Sequence, residues 1–151
     1  MMQSSTIKHL ILAAESGDAA AQFNLGVLCD SRLDDNGYAV EGNRAEAMKW
    51  LLAAAEQGLP RAQSKLAEMY AEGPDTPGDY INACAWFLLA MIHLRGIHRH
   101  RARSGYDRVS SYLTAAQLAK ARRLAVNWRP DRQKKAATVR SPENVLVEGQ
   151  A

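Results

Sequence analysis

The sequence contains only two cysteines, and they lie 55 positions apart, at Cys29 and Cys84. This spacing matches neither the closely spaced cysteine pairs of zinc sites nor the many cysteines of small secreted domains. The sequence therefore predicts buried thiols in a reducing compartment. Disulfides are not needed for stability, because a single domain of 151 residues can bury roughly two-thirds of its unfolded surface.

Long apolar runs and export signals are also missing. The longest apolar run, residues 83–92, has ten residues, whereas a membrane-spanning helix needs about 20. The first residues, MMQSSTIKHL, contain no basic segment followed by an apolar segment and a cleavage site. We therefore expect a cytoplasmic protein that does not bind membranes.

Recognisable catalytic motifs are absent as well. The sequence has no Gly-rich phosphate loop, no Gly-x-Ser-x-Gly and no paired metal-ligand motif. The strongest candidate for a metal-dependent enzyme is the group His93, His98 and His100, with no Asp or Glu close to it in the sequence. Residues two apart on a helix point roughly 200° apart, so His98 and His100 could share a metal only in a loop. We expect no cofactor, no bound metal and no enzymatic activity.

Helical patterns occupy most of the chain. Apolar residues recur at i, i+3, i+4 and i+7 in Ala-rich segments, and the alternation typical of β-strands is absent. The sequence predicts an all-α fold with helices at about residues 6–16, 19–30, 44–57, 60–72, 80–95, 99–112 and 115–128.

Helix ends are marked by capping residues. Asn43 with Glu46 has the spacing of a capping box, in which each side chain binds a free backbone N–H at the helix start. Thr114 with Gln117 has the same spacing. Pro60 fits the first turn of a helix, where its missing N–H is harmless. Glycines, which adopt the left-handed cap conformation without steric cost, are placed where helices should end, at Gly17, Gly58 and Gly96.

One segment of the sequence occurs twice. LILAAESGDAAAQFNL at residues 10–25 and LLAAAEQGLPRAQSKL at residues 51–66 are offset by 41 positions and share eight of sixteen residues. Helices joined by so short a turn pack antiparallel, and small residues on the shared face let their axes approach closely. The faces predicted to be buried are Ala21, Leu25, Leu28 and Cys29 in the first copy and Ala62, Leu66, Met69 and Tyr70 in the second.

A second similarity joins AMKWLLAA at residues 47–54 to ACAWFLLA at residues 83–90, with an offset of 36. The loops between the paired helices therefore differ by five residues. Stacked units of this kind bury their cores against their neighbours, which explains why the same contact residues recur. Trp50 and Trp86 are predicted to occupy equivalent, largely buried positions.

Both copies follow a longer pattern, Leu-Gly-x-x-Tyr-x-x-Gly-x-Gly-Val-x-x-Asp-x-x-Lys-Ala-x-x-Trp, preceded by Ala-Ala-Glu-x-Gly. The first copy supplies Leu25, Gly26, Gly37, Val40, Asn43, Ala47 and Trp50, and the second supplies Leu66, Tyr70, Gly73, Asp79, Ala83 and Trp86. Cys29 replaces the Tyr of the first copy, and Ala67 replaces the helix Gly of the second. The pattern resembles the Sel-one-like repeat, a relative of the tetratricopeptide repeat, over residues 10–96.

The resemblance implies an α/α solenoid of antiparallel helix pairs with a capping C-terminal helix. It also implies a non-catalytic scaffold that binds a protein or peptide partner on its concave helical surface. The predicted boundaries are residues 1–128 for one repeat domain, 18–57 and 59–95 for the repeats, 6–16 and 99–128 for the flanking helices, and 129–151 for a disordered basic tail.

A binding surface is predicted on the first helix of each pair, which lines the inner curve of two-helix solenoids. Residues off the Ala-Leu core face differ between the copies, whereas the Ala and Leu of the core face, Ala21 with Ala62 and Leu25 with Leu66, are the same. This contrast is expected if a partner selects the surface, and equally if these residues are merely solvated. The candidate partner-binding residues are Asn24, Val27, Ser31, Lys65, Glu68 and Glu72.

Charge is distributed unevenly along the chain. Residues 1–92 contain six Lys or Arg and twelve Asp or Glu, net −6, whereas residues 93–151 contain thirteen and four, net +9. A basic end can bind nucleic acid or an acidic partner, or it can attract the acidic end of the same domain.

The alternative binding patch at the basic end is Arg95, Arg99, Arg101 and Arg103. Tyr106 and Tyr112 could stack on the bases of a bound nucleic acid. In the other interpretation these tyrosines, with Val109 and Leu113, form an apolar face that packs on the preceding repeat and leaves the arginines exposed opposite.

Overall fold

The computed structural model describes residues 2–30, 43–72 and 77–130, and all regular secondary structure in these ranges is α-helical. The helices are α1 (Met2–Glu15), α2 (Ala19–Asp30), α3 (Arg44–Glu56), α4 (Pro60–Ala71), α5 (Pro77–His93), α6 (Gly96–Ser110) and α7 (Ala115–Asn127). They confirm the all-α prediction. None of these helices is long and apolar enough to cross a bilayer. The predicted tail lies outside the described ranges from residue 131 onward.

Three helices begin earlier than predicted, by three or four residues: α1, α5 and α6. α5 can begin at Pro77, because a proline at the first helical position loses only an N–H that has no helical partner there. Gly96 was predicted to end the preceding helix, but it begins α6, and α5 ends three residues earlier at His93. All three predicted cap glycines do have positive φ, of 100° at Gly17, 96° at Gly58 and 57° at Gly96.

The two predicted capping boxes differ in the structure. Thr114 Oγ1 accepts from the Gln117 backbone N–H at 3.2 Å, and Gln117 Oε1 accepts from the Thr114 backbone N–H at 2.9 Å. This is the full reciprocal box. Asn43 Oδ1 likewise accepts from the Glu46 N–H at 3.1 Å, but the Glu46 carboxylate accepts from the Asn43 side-chain amide at 3.2 Å. The difference arises because Asn, unlike Thr, carries its own NH₂ donor.

The helices fall into two compact units, and α1, α2 and α3 belong to the first. α2 packs on both α1 and α3. A Cβ atom at Gly26 of α2 would lie 2.7 Å from Leu51 Cγ and 3.2 Å from the Ala47 carbonyl oxygen of α3. The absence of a side chain at Gly26 therefore permits the close approach of α2 and α3.

One buried cluster of this unit is built around a tryptophan. It consists of Ala14, Ala21, Leu25 and Trp50, with Cys29 partly buried against it. The prediction that Leu28 shares this buried face is wrong, because Leu28 is 48% exposed.

A glutamine pair holds the first of the two Ala-Gln segments in place. Gln22 is fully buried, and its Nε2 donates to the Ala14 carbonyl oxygen at 3.1 Å. Gln57, at the end of α3, donates from Nε2 to Gln22 Oε1 at 2.8 Å and to the Gly17 carbonyl oxygen at 3.0 Å. The pair thus joins the α1–α2 turn to the end of α3, which requires α2 and α3 to run antiparallel. Gln63, the counterpart in the second copy, is also buried.

Replacing Gln22 by leucine is expected to lower the free energy of unfolding by about 1–3 kcal/mol, because the buried Ala14 carbonyl and the Gln57 amide lose a partner. The measurement is urea-induced unfolding followed by circular dichroism. Asn24→Leu is the matched control, since Asn24 is exposed on the same helix and such changes usually stay within about 0.5 kcal/mol. An unchanged midpoint for Gln22→Leu would contradict this role for the pair.

The second unit, residues 58–130, is built around α5. α4, α6 and α7 all pack on this helix. Phe87 of α5 is fully buried, and it contacts α6 at Gly105, where an added Cβ would lie 2.5 Å from the Phe87 ring. The other buried residues of this core are Ala67, Ile81, Ala83, Cys84, Ala85, Ala90, Leu94, Ala102, Val109 and Ala121.

Trp86 is less buried than predicted. Trp50 is 8% exposed, whereas Trp86 is only partly buried. The Trp86 ring packs edge-on against Trp128 at 6.2 Å between centroids, and Trp128 also lies 3.7 Å from a Cβ built at Gly58. The residue after α7 therefore covers the second repeat in place of a further helix.

Candidate binding surfaces

The predicted partner-binding residues that the structure describes lie on α2, on α4 and at the C-terminal cap of α4. Asn24 is exposed and Val27 is partly buried on α2, whereas Ser31 lies outside the described residues. On α4, Lys65 and Glu68 are partly buried, and Glu72, the C-cap residue of this helix, is exposed. The α4 residues are three or four positions apart and therefore form a stripe along one side of the helix.

Glu68 is engaged in an ion pair that sequence spacing did not reveal. Arg101 Nε of α6 lies 3.0 Å from Glu68 Oε1, and the side chains are 73% and 18% exposed respectively. The residues are 33 positions apart, so no local pattern connects them. Because the arginine is mostly solvated, the pair contributes at most about 1 kcal/mol, but it fixes the position of the Glu68 carboxylate.

The alternative basic patch is exposed, but three of its four arginines have local partners. Arg95 Nη1 donates to the carbonyl oxygens of Ile92 at 3.2 Å and Leu94 at 3.0 Å. Arg101 pairs with Glu68, and Arg103 Nε lies 3.2 Å from Asp107 Oδ1. Residues two apart on a helix point in nearly opposite directions, so the arginines of α6 do not form one continuous basic surface.

The two tyrosines of the basic end are buried to different degrees. Val109 is buried, and Tyr106 and Leu113 are partly buried against the core of the second unit. Tyr112, which was predicted to lie on the same apolar face, is 65% exposed and stacks on Tyr80 at 5.4 Å. These contacts support the packing interpretation more than base stacking.

Binding of nucleic acid is expected to be weak and nonspecific. Affinity should fall by tens-fold or more between about 50 and 200 mM salt, because any contact to phosphates releases counterions. Fluorescence anisotropy with labelled single-stranded and duplex DNA measures this dependence. Nanomolar binding of a defined sequence at physiological salt, lost on changing Arg99, Arg101 and Arg103 to Glu, would contradict the expectation.

The histidine group does not assemble into a metal site. His93 ends α5, whereas His98 and His100 lie on α6, and all three are exposed. Since α6 already includes Gly96, the loop that His98 and His100 would need to share a metal is absent at this point. Within the described ranges, no three His, Cys, Asp or Glu side chains are placed to hold a metal ion.

A different surface, at the junction of α5 and α6, was missed by the sequence patterns. We call residues 92–99 the α5–α6 corner. Ile92 is 58% exposed and Ile97 is 78% exposed, whereas Leu94 between them is buried. In the sequence, Ile92 is the last residue of an apolar run. Helical periodicity gave no indication that its side chain is exposed.

Comparisons with known proteins agree with the geometry of the helix pairs. Residues 19–59 and 60–96 match the family model described as Sel1 repeat, and these ranges coincide with the pairs α2–α3 and α4–α5. The two matches cover more than half of the chain. No curated protein matches the sequence.

Among solved structures, the chain is similar to c5321, a protective antigen present in uropathogenic Escherichia coli strains that displays an SLR fold. The sequences are 32% identical and the TM-score is 0.66, over 88% of this chain and 26% of that one. The chain therefore spans about a quarter of the length of that protein. From the repeat match and the shared fold, the chain belongs to the Sel1 repeat family and has its all-α solenoid fold of antiparallel helix pairs.

Proposed function

We propose that the chain is a non-catalytic adaptor that holds a protein or peptide on the first helices of its repeats. Sel1 repeats are generally protein-interaction scaffolds. The observation that carries the proposal is the contrast along α2 and α4. Ala and Leu at the buried positions are the same in both helices, whereas Asn24 of α2 corresponds to Lys65 of α4.

The charges of α4 indicate what kind of partner fits. Lys65, Glu68 and Glu72 form a stripe of one cation and two carboxylates, and Glu68 is held in place by Arg101. A peptide with the complementary order of charges can pair with this stripe. The ordering of Glu68 before binding lowers the entropic cost of the contact.

The experiment begins with affinity purification and cross-linking of the full chain to identify the partner. Lys65→Glu is then expected to weaken binding of the purified partner by about tenfold or more, equivalent to about 1.4 kcal/mol. The melting temperature should change little, because exposed and half-exposed substitutions usually alter stability by about 0.5 kcal/mol.

A charge-swapped variant separates binding from structure at Glu68. Glu68→Arg alone places two cations together and also breaks the ion pair with Arg101. Glu68→Arg combined with Arg101→Glu restores an ion pair while it reverses the charge that α4 presents. If Glu68 contacts the partner, the double variant melts like the wild type but binds weakly. A partner that binds both the double variant and Lys65→Glu as tightly as the wild type would exclude the α4 stripe.

A cytoplasmic location is part of the same proposal. Neither Cys29 nor Cys84 forms a disulfide within the described part of the chain. Burial raises the pKa of the Cys84 thiol to about 11, so at neutral pH it stays protonated and is a poor nucleophile. These properties support a reducing compartment and a role without cysteine chemistry.

A further inference from the structure

The outward face of α7 combines an exposed aliphatic side chain with cations. Val126 is 72% exposed, and Arg122 and Arg123, which precede it by four and three positions, are exposed as well. Side chains at these spacings are neighbours on a helix surface. Ala121, which is fully buried, lies roughly 140° around the helix from Val126. The valine and the two arginines therefore share one side of α7, turned away from the core.

A third cation is fixed beside Val126 by direct contacts. Arg129 Nη1 donates to the carbonyl oxygens of Val126 at 2.9 Å and Trp128 at 2.8 Å. The carbonyl groups of a helix point toward its C-terminus, so this guanidinium lies past Val126, on the side away from Arg122 and Arg123. We call Arg122, Arg123, Val126 and Arg129 the α7 surface. Its order along the helix is cation, aliphatic side chain, cation.

The charge of the α7 surface is not neutralised within the described ranges. α7 contains no Asp or Glu, and no carboxylate of the described residues forms an ion pair with Arg122, Arg123 or Arg129. Arg101 and Arg103 of α6, in contrast, each pair with a carboxylate. The N–H groups of Arg122 and Arg123 are therefore available to an acidic group, as are those of Arg129 that its backbone contacts leave over.

The sequence of the same chain contains a segment with the complementary order of groups. Residues 143–148, ENVLVE, place Asn, Val, Leu and Val between two glutamates. We call them the tail segment. The preceding residues 131–142 carry four cations and one carboxylate, so they do not match a basic surface. Five steps of extended chain separate the two glutamates by about 17 Å, enough for each to reach a different end of the α7 surface.

We propose that the tail segment binds to the α7 surface of its own chain. Glu143 and Glu148 pair with the cations on either side of Val126, and the aliphatic side chains between the glutamates cover the valine. The bound segment occludes the outward face of the last described helix. This proposal departs from the sequence-based prediction for the tail at these six residues only, and it does not depend on the α4 stripe.

The covalent connection favours the tail segment over a second copy of the chain or a free peptide. Twelve residues, 131–142, join Pro130 to the segment, and a fully extended chain of this length spans about 40 Å. α7 has 13 residues and is about 20 Å long, so the segment can reach any part of it. A short linker gives an effective concentration on the order of millimolar. A contact too weak to hold a separate molecule therefore forms within the chain.

A lipid bilayer or a nucleic acid fits the α7 surface less well. Helices that bind bilayer surfaces immerse one continuous apolar face, whereas the exposed aliphatic side chains of α7, Leu124 and Val126, lie roughly 160° apart around the helix. Nucleic acids bind through phosphate contacts and base stacking, and α7 contains no aromatic residue. The tail segment satisfies both the valine and the cations.

Backbone order parameters from ¹⁵N relaxation of the full chain measure whether the tail segment is bound. For residues 143–148 we expect values above about 0.6 in the wild type and below about 0.6 in Arg122→Glu with Arg123→Glu, because the segment is then repelled. The matched control is Arg99→Glu with Arg108→Glu, which reverses two exposed arginines of α6. This control should leave the order parameters as in the wild type.

A competition measurement provides an independent test. A fluorescein-labelled peptide of residues 141–151 is titrated with the full chain, whose own tail segment competes for the α7 surface. Glu143→Gln with Glu148→Gln in the protein removes this competitor and should raise the peptide affinity by about tenfold, as a millimolar effective concentration against a Kd of about 0.1 mM implies. Adding Arg122→Glu and Arg123→Glu to that variant should weaken the peptide by about tenfold or more, because oppositely charged pairs are replaced by like charges.

Two single variants define the contact further. Val126→Ser, in the variant without the competitor, should weaken the peptide severalfold, because the valine no longer contributes apolar area removed from water. Lys65→Glu should leave the order parameters and the peptide affinity unchanged, so that failure of the α4 stripe and failure of the α7 surface are distinguishable. Circular dichroism verifies folding, which is expected because Val126, Arg122 and Arg123 are exposed.

Three results would overturn the proposal. One is order parameters of residues 143–148 below about 0.6 in the wild type. Another is a fall of these order parameters on dilution of the protein, which would assign the contact to a second copy. The third is a peptide affinity that Glu143→Gln with Glu148→Gln leaves unchanged. If phosphatidylserine-containing vesicles or single-stranded DNA then bind the wild type through Arg122 and Arg123, the surface belongs to a lipid or a nucleic acid instead.

Discussion

Trp50→Ala is expected to lower the free energy of unfolding by about 3–5 kcal/mol, the usual cost of removing a large core aromatic side chain. Trp50 is 8% exposed and forms the centre of the cluster with Ala14, Ala21 and Leu25. Three of these four cluster residues have small or medium side chains, so little nearby volume can move to fill the cavity. Chemical denaturation monitored by circular dichroism measures the loss.

Two further variants show which property of Trp50 matters. The indole Nε1 is buried and has no hydrogen-bond partner in the part of the chain that the structure describes. Trp50→Phe should therefore be much less destabilising than Trp50→Ala, since it keeps most of the apolar volume. Trp86→Ala should cost less than Trp50→Ala, because Trp86 is only partly buried. Equal losses for Trp50→Phe and Trp50→Ala would show that the indole N–H, and not the ring volume, holds this unit together.

Gly105→Leu is expected to destabilise the second unit by about 3 kcal/mol, the upper end of the usual range, because overpacking of a well-packed core forces side chains and backbone to shift. A Cβ atom at this position would lie 2.5 Å from Phe87 Cζ and 2.8 Å from Phe87 Cε1. Phe87 is fully buried and has no solvent-facing space into which its ring can turn. The loss should appear as a lower melting temperature and a lower denaturation midpoint.

The control for Gly105→Leu is Ser104→Leu, an exposed neighbour on the same helix, which should change stability by no more than about 0.5 kcal/mol. Combining Gly105→Leu with Phe87→Ala exchanges the volumes of the two facing positions. The double variant should be more stable than the sum of the single losses predicts, with a coupling of about 0.5–3 kcal/mol, as for residues in direct contact. Additive losses would show that Gly105 and Phe87 are not packed on each other.

The helices and their pairing could be predicted because the local signals that specify them occur in both repeats. Gly17 and Gly58 mark the ends of α1 and α3, Pro60 marks the start of α4, and Ala-Gln recurs in both repeats. These are local signals, which depend on backbone conformation and on the immediate neighbours of each residue. The start of α5 at Pro77 was missed because a proline permits a helix to begin without requiring it.

The surfaces were less predictable because they depend on contacts between residues far apart in the sequence. The engagement of Glu68 by Arg101 follows from the packing of α6 against α4, and no spacing rule predicts it. The sequence could have shown that the arginines of the basic patch point to different sides of the helix, since Arg101 and Arg103 are two positions apart on a predicted helix. The exposure of Ile97 could not have been inferred, because an isoleucine is more often buried than exposed.

The hydrogen bonds of Gln57 have a consequence for the order in which the first unit forms during synthesis. Gln22 reaches its partner only after a further 35 residues have been added. At about 5–20 residues per second, this interval is roughly 2–7 s on the ribosome. During that time the Gln22 side-chain oxygen and the Gly17 carbonyl oxygen have only water to bind in place of Gln57. The α1–α2 turn therefore gains these two hydrogen bonds only after the last residues of α3 have been added.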